Sequence, residues 1–442
     1  MPPTSGTSPS HDRPTGRLAR LFDVRHGETG AVAAGFAMFF LLFAGYFMLR
    51  PVRETMGIAG GVDNLQWLFT ATFFATLAAM PLFGWLAGRA QRRRILYWVY
   101  GFFAANLALF GAGFVVAPDN VWIARTFYVW LSVFNMIAIS VAWSVLVDVF
   151  SAAQGKRLFA LMAAGASLGG LTGPLLGIAL VGPIGHAGLL FLSAALLLAS
   201  AAMAWAIHRW RDRNPMPADA ATQRQRPLGG HPFAGAVDVL RSPYLLGIAL
   251  FMLFLASVST FLYFEQARLV EAAFPDPTDQ TRVFGLIDAI VQALSILAQL
   301  FVTGRIAGRL GVGVLLVLVP LITAAGFLWL AFAPTFAVLA VVMVARRAGE
   351  YGFVRPGREM LYSVLAPDAK YRAKNFNDTV VYRGADAVSG WVKAGIDSVT
   401  QHPAIAMLIG AGIAAGWALN GLMLGRAHRR IEHDVGVESP SH

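Results

Sequence analysis

Long apolar runs, each close to the length that crosses a bilayer, alternate along this chain with short polar intervals that are mostly basic. About 20 apolar residues span a hydrocarbon core. Twelve stretches qualify: 30–49, 65–86, 95–116, 121–147, 158–181, 187–207, 244–267, 283–303, 312–333, 335–357, 376–399 and 403–425. They predict an all-α polytopic membrane protein of about twelve transmembrane helices. The tenth and eleventh runs are the least clean, because they carry many charges. The longest internal polar interval, 208–243, separates six runs from six and reads as a linker ending in a short amphipathic helix. The predicted organisation is a polar N-terminal tail over 1–29, a six-helix bundle over 30–207, the linker, a second six-helix bundle over 244–425 and a tail over 426–442. The first 29 residues show no cleavable signal pattern, so the first apolar run is expected to start insertion uncleaved.

Charge then sets the expected orientation. If both termini are cytoplasmic, 24 of the 35 Lys and Arg fall in the tails and cytoplasmic intervals. That is a strong positive-inside pattern, as expected of a chain inserted in a cytoplasmic membrane with both termini inside. It also accounts for the net charge of +11 as a topology signal with affinity for anionic lipid headgroups; no nucleic-acid partner is needed. Composition agrees: 57% of residues are hydrophobic and 13% charged, against about 25% charged in soluble domains.

An internal repeat links the two halves. "GWLAGRAQRRRIL" begins at Gly84, and "GRIAGRLGVGVLL" begins at Gly304. Both read G-x-[LI]-A-G-R, six spans apart, in intervals expected to be cytoplasmic loops. Matching motifs in two six-span halves point to a duplicated transporter fold. The form resembles the loop motif of the major facilitator superfamily, with Gly88 and Gly308 where that motif has Asp, followed by Arg89 and Arg309. The fifth run carries "GASLGGLTGPLLG", Gly165 to Gly177. It resembles the fifth-helix motif G-P-x-x-G of facilitator antiporters at Gly173 and Pro174. Close helix packing by small residues is an equally good reading.

Charges inside apolar runs are the candidate chemistry. Each costs about 2.5–3.5 kcal/mol near the midplane on insertion scales. About fifteen lie in or at the rim of the runs, among them eight positive and seven negative groups: Arg50, Arg53, Glu54, Asp148, Glu265, Asp288, Arg346, Arg347, Glu350, Arg355, Arg358, Glu359, Arg383, Asp386 and Lys393. They must face a wet cavity, pair with one another or reach the interface. At 100° per residue, Tyr46, Arg50 and Arg53 share a stripe on the first span. Asp288 and Gln292 lie on one arc of the eighth, with Ser295 and Gln299. Arg347, Tyr351, Arg355 and Arg358 share a face of the tenth, with Glu350 at its edge, and Pro356-Gly357 is expected to break that helix. Tyr382, Arg383, Asp386 and Lys393 cluster on the eleventh. The arginines and tyrosines suggest an anion site. Glu54, Asp288, Gln292, Glu350, Glu359, Asp386 and Lys393 are candidates for gating or coupling, and a deep carboxylate such as Asp288 or Asp386 could carry protons. Mutual pairing without substrate contact is the competing reading for each of them.

Some chemistries have no candidate residues. There is no cysteine, hence no disulfide or thiolate metal site. The nine histidines lie in intervals, tails or span ends, so no histidine relay or metal site is visible and no cofactor is expected. No G-x-x-x-x-G-K-[ST] loop appears, so primary, ATP-hydrolysing transport by this chain alone is not expected. H-E-x-x-H and G-x-S-x-G are also absent, so no enzyme chemistry is expected.

Three further stretches carry a closer resemblance. "LRPVRE" (Leu49–Glu54), "WSVLVDVFSAAQGKRLF" (Trp143–Phe159) and "REMLYSVLAPDAKYRAKNFNDTVVYRGAD" (Arg358–Asp386) resemble signatures of the bacterial and plastid ATP/ADP translocases. The resemblance implies a twelve-span, facilitator-like exchanger with a basic central cavity that binds nucleotide phosphates. Arg50, Arg53, Lys156, Arg157, Glu359 and Arg383 match family positions. Asp386 departs from the pattern, standing where the family has a lysine. That reversal suggests a different substrate, a smaller anion or a zwitterion.

The leading reading is therefore a secondary active transporter, a monomer whose partners are a small solute, membrane lipids and a proton or counter-substrate. A lipid or lysolipid flippase, a membrane-embedded enzyme and a non-transporting receptor are the alternatives.

Overall fold

In the computed structural model of the chain the described residues are 24–25, 27–89, 92–215, 235–400 and 402–437, side chains at 86–89, 92, 367 and 434–437 excepted. All regular structure among them is helical. In the first half α1 is Thr29–Ala59, α2 Leu65–Arg89, α3 Arg92–Val116, α4 Val121–Val149 and α5 Ala152–Arg213. In the second, the short α6 (Ala236–Arg241) leads into α7 (Pro243–Ala273), α8 (Pro277–Ala298), α9 (Gly304–Leu310), α10 (Val312–Phe332), α11 (Phe336–Gly349), α12 (Arg355–Leu361), α13 (Pro367–Phe376), α14 (Tyr382–Val399) and α15 (Pro403–Val437). Single π-turns join α8 to α9, α11 to α12 and α13 to α14.

Nine helical stretches among the described residues are long and apolar enough to cross a membrane. One of them, α5, crosses twice. It is 62 residues long and turns at Gly185, whose φ of 66° lies in the left-handed region. Arg211 Nη2 donates to Gln154 Oε1 at 2.9 Å, whereas a straight helix would hold these residues about 85 Å apart. The fifth and sixth predicted spans thus form a hairpin with no loop. The tenth (α11, π-turn, α12) and eleventh (π-turn, α14) carry too many charges to qualify on apolarity alone, and complete the set of twelve.

The G-x-[LI]-A-G-R repeats are not loops. Gly84–Arg89 is the last turn and a half of α2, and Gly304–Leu310 is α9. A helix satisfies its own backbone, so it continues past the edge of the apolar run until a stop. For α9 the stop is Gly311, at φ +79°. No atom lies within 4 Å of where a Cβ would stand on Gly84, Gly304 or Gly308. Arg309 is exposed. The Arg89 side chain lies outside the described residues.

Two hydrophobic cores form, one per half. Phe39, Tyr100, Phe127, Leu158 and Leu190 belong to the first; Phe251, Val319, Leu339 and Trp417 belong to the second. In the first, α1 lies directly on the glycine stripe of α5. A Cβ on Gly165 or Gly169 would overlap the carbonyl oxygens of Phe36 and Phe40, and one on Gly173 would stand 2.6 Å from that of Ala44. Gly173 therefore brings backbone against backbone, where dispersion contacts replace the hydrophobic effect as the source of helix association in lipid.

A smaller mixed cluster joins the halves. Ile58, Leu65, Leu68 and Tyr128 of the first half pack with Phe264, Ala267, Val270 and Phe284 of the second. Polar contacts accompany it: Thr55 and Thr281 hydroxyls lie 2.7 Å apart, Thr281 also meets His186 at 2.9 Å, and Trp391 Nε1 donates to Thr70 at 3.0 Å. All lie near the ends of the helices that carry the short turns, opposite the basic intervals.

At the basic end, Glu28 ties α1 to α5. It accepts from Gln154 Nε2 at 2.8 Å, the Arg25 backbone N–H at 3.1 Å and Arg157 Nη2 at 3.2 Å. Burial alone would raise its pKa, but these bonds and the Arg157 charge together hold it below the ordinary carboxylate value. Lys156, next to Arg157, is exposed.

Gly169→Ala is expected to lower stability by about 1–3 kcal/mol through overpacking, read as a drop in melting temperature in detergent, whereas Gly412→Ala, with open space at the Cβ, should leave it unchanged. Because the Glu28 pKa is depressed, its stabilising contribution is full above the unfolded-state value and is lost as pH falls through the folded-state value. Glu28→Gln should therefore melt lower at pH 7 and show a shallower acid decline than the parent; parallel pH curves would contradict this assignment.

Candidate functional site

A cavity of about 520 Å³ lies between the halves. Its lining contains seven arginines (Arg50, Arg53, Arg346, Arg347, Arg355, Arg358 and Arg383) and five carboxylates (Glu54, Asp288, Glu350, Asp378 and Asp386), a formal excess of two positive charges. The i, i+3, i+4 spacing on α1 turns Tyr46, Arg50, Arg53 and Glu54 toward it.

Each arginine has a distinct set of partners. Asp288 on α8 is 4% exposed and lies between two guanidinium groups, Arg347 Nη2 at 2.5 Å and Arg50 Nε at 3.6 Å. Arg50 belongs to the first half and Arg347 to the second, so this carboxylate connects the two. Arg50 Nη1 also reaches the Tyr351 hydroxyl at 3.4 Å. Arg53 stacks on the Tyr128 ring with its guanidinium carbon 3.8 Å from the centroid, donates to the Tyr128 carbonyl at 3.2 Å and pairs with Glu54 at 3.1 Å. Arg346 bonds Glu350 at 3.0 Å and Ser259 at 2.8 Å. Arg358 pairs with Asp378 at 3.2 Å.

Arg355 and Arg383 are held most loosely. Arg355 lies 3.4 Å from Glu350, 4.2 Å above the Tyr351 ring, and its side chain is 52% exposed. Arg383 approaches Asp386 at 3.7 Å and is 31% exposed, while Asp386 is held by Thr260 at 3.2 Å. These two guanidinium groups are the most exposed of the seven to a ligand in the cavity.

The backbone around the tenth span is arranged differently from the expected break at Pro356-Gly357. Pro356 lies in the first turn of α12, and the irregularity falls just upstream, in the π-turn Glu350–Val354. Proline has no N–H to offer the carbonyl four residues back and its ring would clash with it. That carbonyl is Gly352, and it accepts instead from Thr303 Oγ1 at 2.7 Å. Gln299 Nε2 likewise reaches the Tyr351 carbonyl at 3.0 Å. The freed groups are thus satisfied by the π-turn that follows α8.

Three sequence candidates stand away from the cavity lining. Gln292 turns its amide onto Gly170 of α5, filling the space a Cβ there would need. Glu359 is on the basic side, paired with Lys374 at 2.7 Å and 3.9 Å from Arg358. Lys393 is buried but pairs with Asp397 at 2.5 Å, along its own helix. Conversely, Tyr128, Ser259, Thr260 and Asp378 line the cavity without having been singled out in the sequence. Asp378 sits at the charged edge of the eleventh run. The other three are unremarkable members of apolar helices, and only their neighbours give them a role.

A twelve-span helical bundle, with one charged cavity at the junction of two halves, defines a membrane solute transporter. The family profile described as Major Facilitator Superfamily matches residues 31–373, and the chain belongs to that superfamily of secondary transporters. It is similar in structure to a bacterial homologue of the human lysosomal transporter Spinster, in an inward-facing and unoccupied conformation: 14% identity, 92% of this chain and 98% of that one covered, TM-score 0.56. It is also similar to a bacterial homologue of the iron transporter ferroportin in an inward-facing state: 14% identity, 89% and 98% covered, TM-score 0.60. No curated protein is a significant match in sequence.

Asp288→Ala leaves Arg50 and Arg347 without their shared counter-charge and is expected to cost about 3–5 kcal/mol of stability. Combining Asp288→Asn with Arg347→Gln should recover part of that loss. A double-mutant cycle on melting temperature in detergent reads the coupling, and simple additivity of the two single losses would show that the pair is not coupled.

Proposed function

We propose that this transporter carries a small anionic or zwitterionic solute by alternating access, the two halves rocking about the central cavity. The observation that carries the reading is the excess of arginine in a cavity shared by both halves, with Arg355 and Arg383 only loosely paired. Planar guanidinium groups suit carboxylate and phosphate groups, while the interspersed carboxylates suit a solute that also bears a cationic group. Contacts between the halves gather at the end opposite the basic intervals. With that end outside, as the positive-inside pattern implies, the cavity is sealed outward. In this reading Tyr46, Arg50, Arg53, Arg347, Tyr351, Arg355, Arg358 and Arg383 contact solute, and Glu54, Asp288, Glu350 and Asp386 exchange partners as the halves move. Gln292, Glu359 and Lys393 act at most on helix position.

The ferroportin homologue's cargo is a poor guide here. An arginine-rich cavity repels a metal cation, and no group of three or more metal-binding side chains occurs among the described residues. Nucleotide exchange is the second reading. It is favoured by the convergence of Arg50, Arg53 and Arg383, from two of the translocase-like stretches, on one cavity. Asp386 beside Arg383 opposes it, because a carboxylate there repels a polyphosphate.

Counter-exchange in proteoliposomes preloaded with unlabelled dicarboxylates, amino acids, phosphate esters or ATP and ADP tests both readings. A hydrogen bond to a charged group contributes about 1.5–3 kcal/mol, so Arg355→Gln and Arg53→Ala should each weaken apparent affinity about ten- to hundredfold. Unchanged exchange in folded variants would refute the assignment. Exchange confined to ATP and ADP would establish the second reading.

A further inference from the structure

A second cavity, of about 350 Å³, opens on the outer surface of the second half between α10 and α15. Its body is apolar, formed by Val314, Val317, Leu318, Leu321 and Leu422, and its mouth carries Arg426 and Arg429. Leu422, Arg426 and Arg429 follow i, i+4, i+7 spacing, so they share one face of α15. Beside the furrow the helices touch backbone to backbone: a Cβ on Gly425 would stand 2.6 Å from the Gly313 Cα, and one on Gly421 would stand 2.9 Å from the Leu316 carbonyl oxygen.

Depth and charge both identify an occupant. From Gly313 to Leu321 the groove follows about 12 Å of helix at 1.5 Å per residue, close to half of a ~30 Å hydrocarbon core. Its mouth coincides with the end of the apolar run of α15, where the chain changes to "RAHRR". Arg426 and Arg429 are exposed and form no ion pair among the described residues, whereas their neighbour Glu432 is engaged by His428 at 3.3 Å. A second copy docked symmetrically through the same face would set these two cations against their own equivalents, which is costly. One acyl chain with a phosphate above it satisfies both parts of the groove.

We infer that the α10–α15 groove is a binding site for an anionic phospholipid of the leaflet facing the basic intervals, with an acyl chain against Val317, Leu318 and Leu321 and the headgroup phosphate on Arg426 and Arg429. The site is separate from the central cavity and does not depend on the solute proposed for it. Bound lipid would fill the furrow beside the Gly313–Gly425 contact and so stabilise the packing of α10 on α15.

The test uses the full chain in detergent, titrated with phosphatidylglycerol or phosphatidylcholine of matched chains, with lipid retention followed by native mass spectrometry and stability by melting temperature. Two cationic contacts at about 1 kcal/mol each predict a preference of about thirtyfold for phosphatidylglycerol. Arg426→Gln with Arg429→Gln, both exposed positions, should abolish the preference while keeping the fold. Val317→Trp should fill the groove and remove retention of either lipid there, with the arginines intact. Glycerol phosphate and inorganic phosphate should neither displace the lipid nor raise the melting temperature. Equal retention of both lipids by the parent protein would overturn the inference. So would an unchanged preference in the double variant, or stabilisation by free phosphate equal to that by the lipid.

Discussion

An ionised side chain cannot remain unpaired in the apolar interior of a membrane protein, and the middle of this molecule is arranged around that constraint. Asp288 illustrates it. One carboxylate is shared by two guanidinium groups that come from different halves of the chain. Arg346 with Glu350, Arg358 with Asp378 and Arg53 with Glu54 repeat the solution locally. The compensation is incomplete: Arg50 and Arg347 share Asp288, and Arg346 and Arg355 share Glu350, while the most exposed guanidinium groups in the cavity are those of Arg355 and Arg383. A site that retains unspent donors in a confined space is prepared for an anion, and an anion that enters competes with carboxylates already in place. Solute binding and the pairing between halves are therefore linked through the same guanidinium groups.

The backbone supplies the frame that holds these charges in position. Glycines on α5 let α1 approach so closely that the first half has one rigid pair of helices beside the cavity. Around the tenth span the opposite device is used. Pro356 removes a hydrogen bond, the π-turn before it absorbs the geometry, and Thr303 satisfies the exposed carbonyl. The π-turns fall in three of the second-half helices, of which α11–α12 and α14 supply five of the seven arginines and Asp386. Close packing stiffens one wall, and local irregularity re-aims the side chains of the other.

Much of this is legible along the chain because lipid imposes a one-dimensional rule. Length and apolarity mark spans, basic residues mark intervals, and a charge within an apolar run marks either a cavity or a pair. Twelve spans, the division into six and six, and the arginine stripes on the first and tenth spans follow from that rule. Gln292 shows where periodicity stops being informative. It shares an arc with Asp288, yet α5 comes so near at Gly170 that the amide turns to that helix. Lys393 lies on the helix that carries Arg383 and Asp386, but finds Asp397 one turn away and never reaches the cavity.

The amino-acid sequence by itself determined the fold class, the superfamily repeat and the set of charges that must be accounted for, since each depends on composition and spacing within a single segment. Only the tertiary structure decided which charges meet. Asp288 and Arg50 are far apart in sequence and on different halves. The hairpin at Gly185, the Thr303 bond to Gly352 and the stacking of Arg53 on Tyr128 likewise join segments whose separate sequences carry no record of each other. Pairing is a property of distance and orientation in three dimensions, and those are set by how the helices pack.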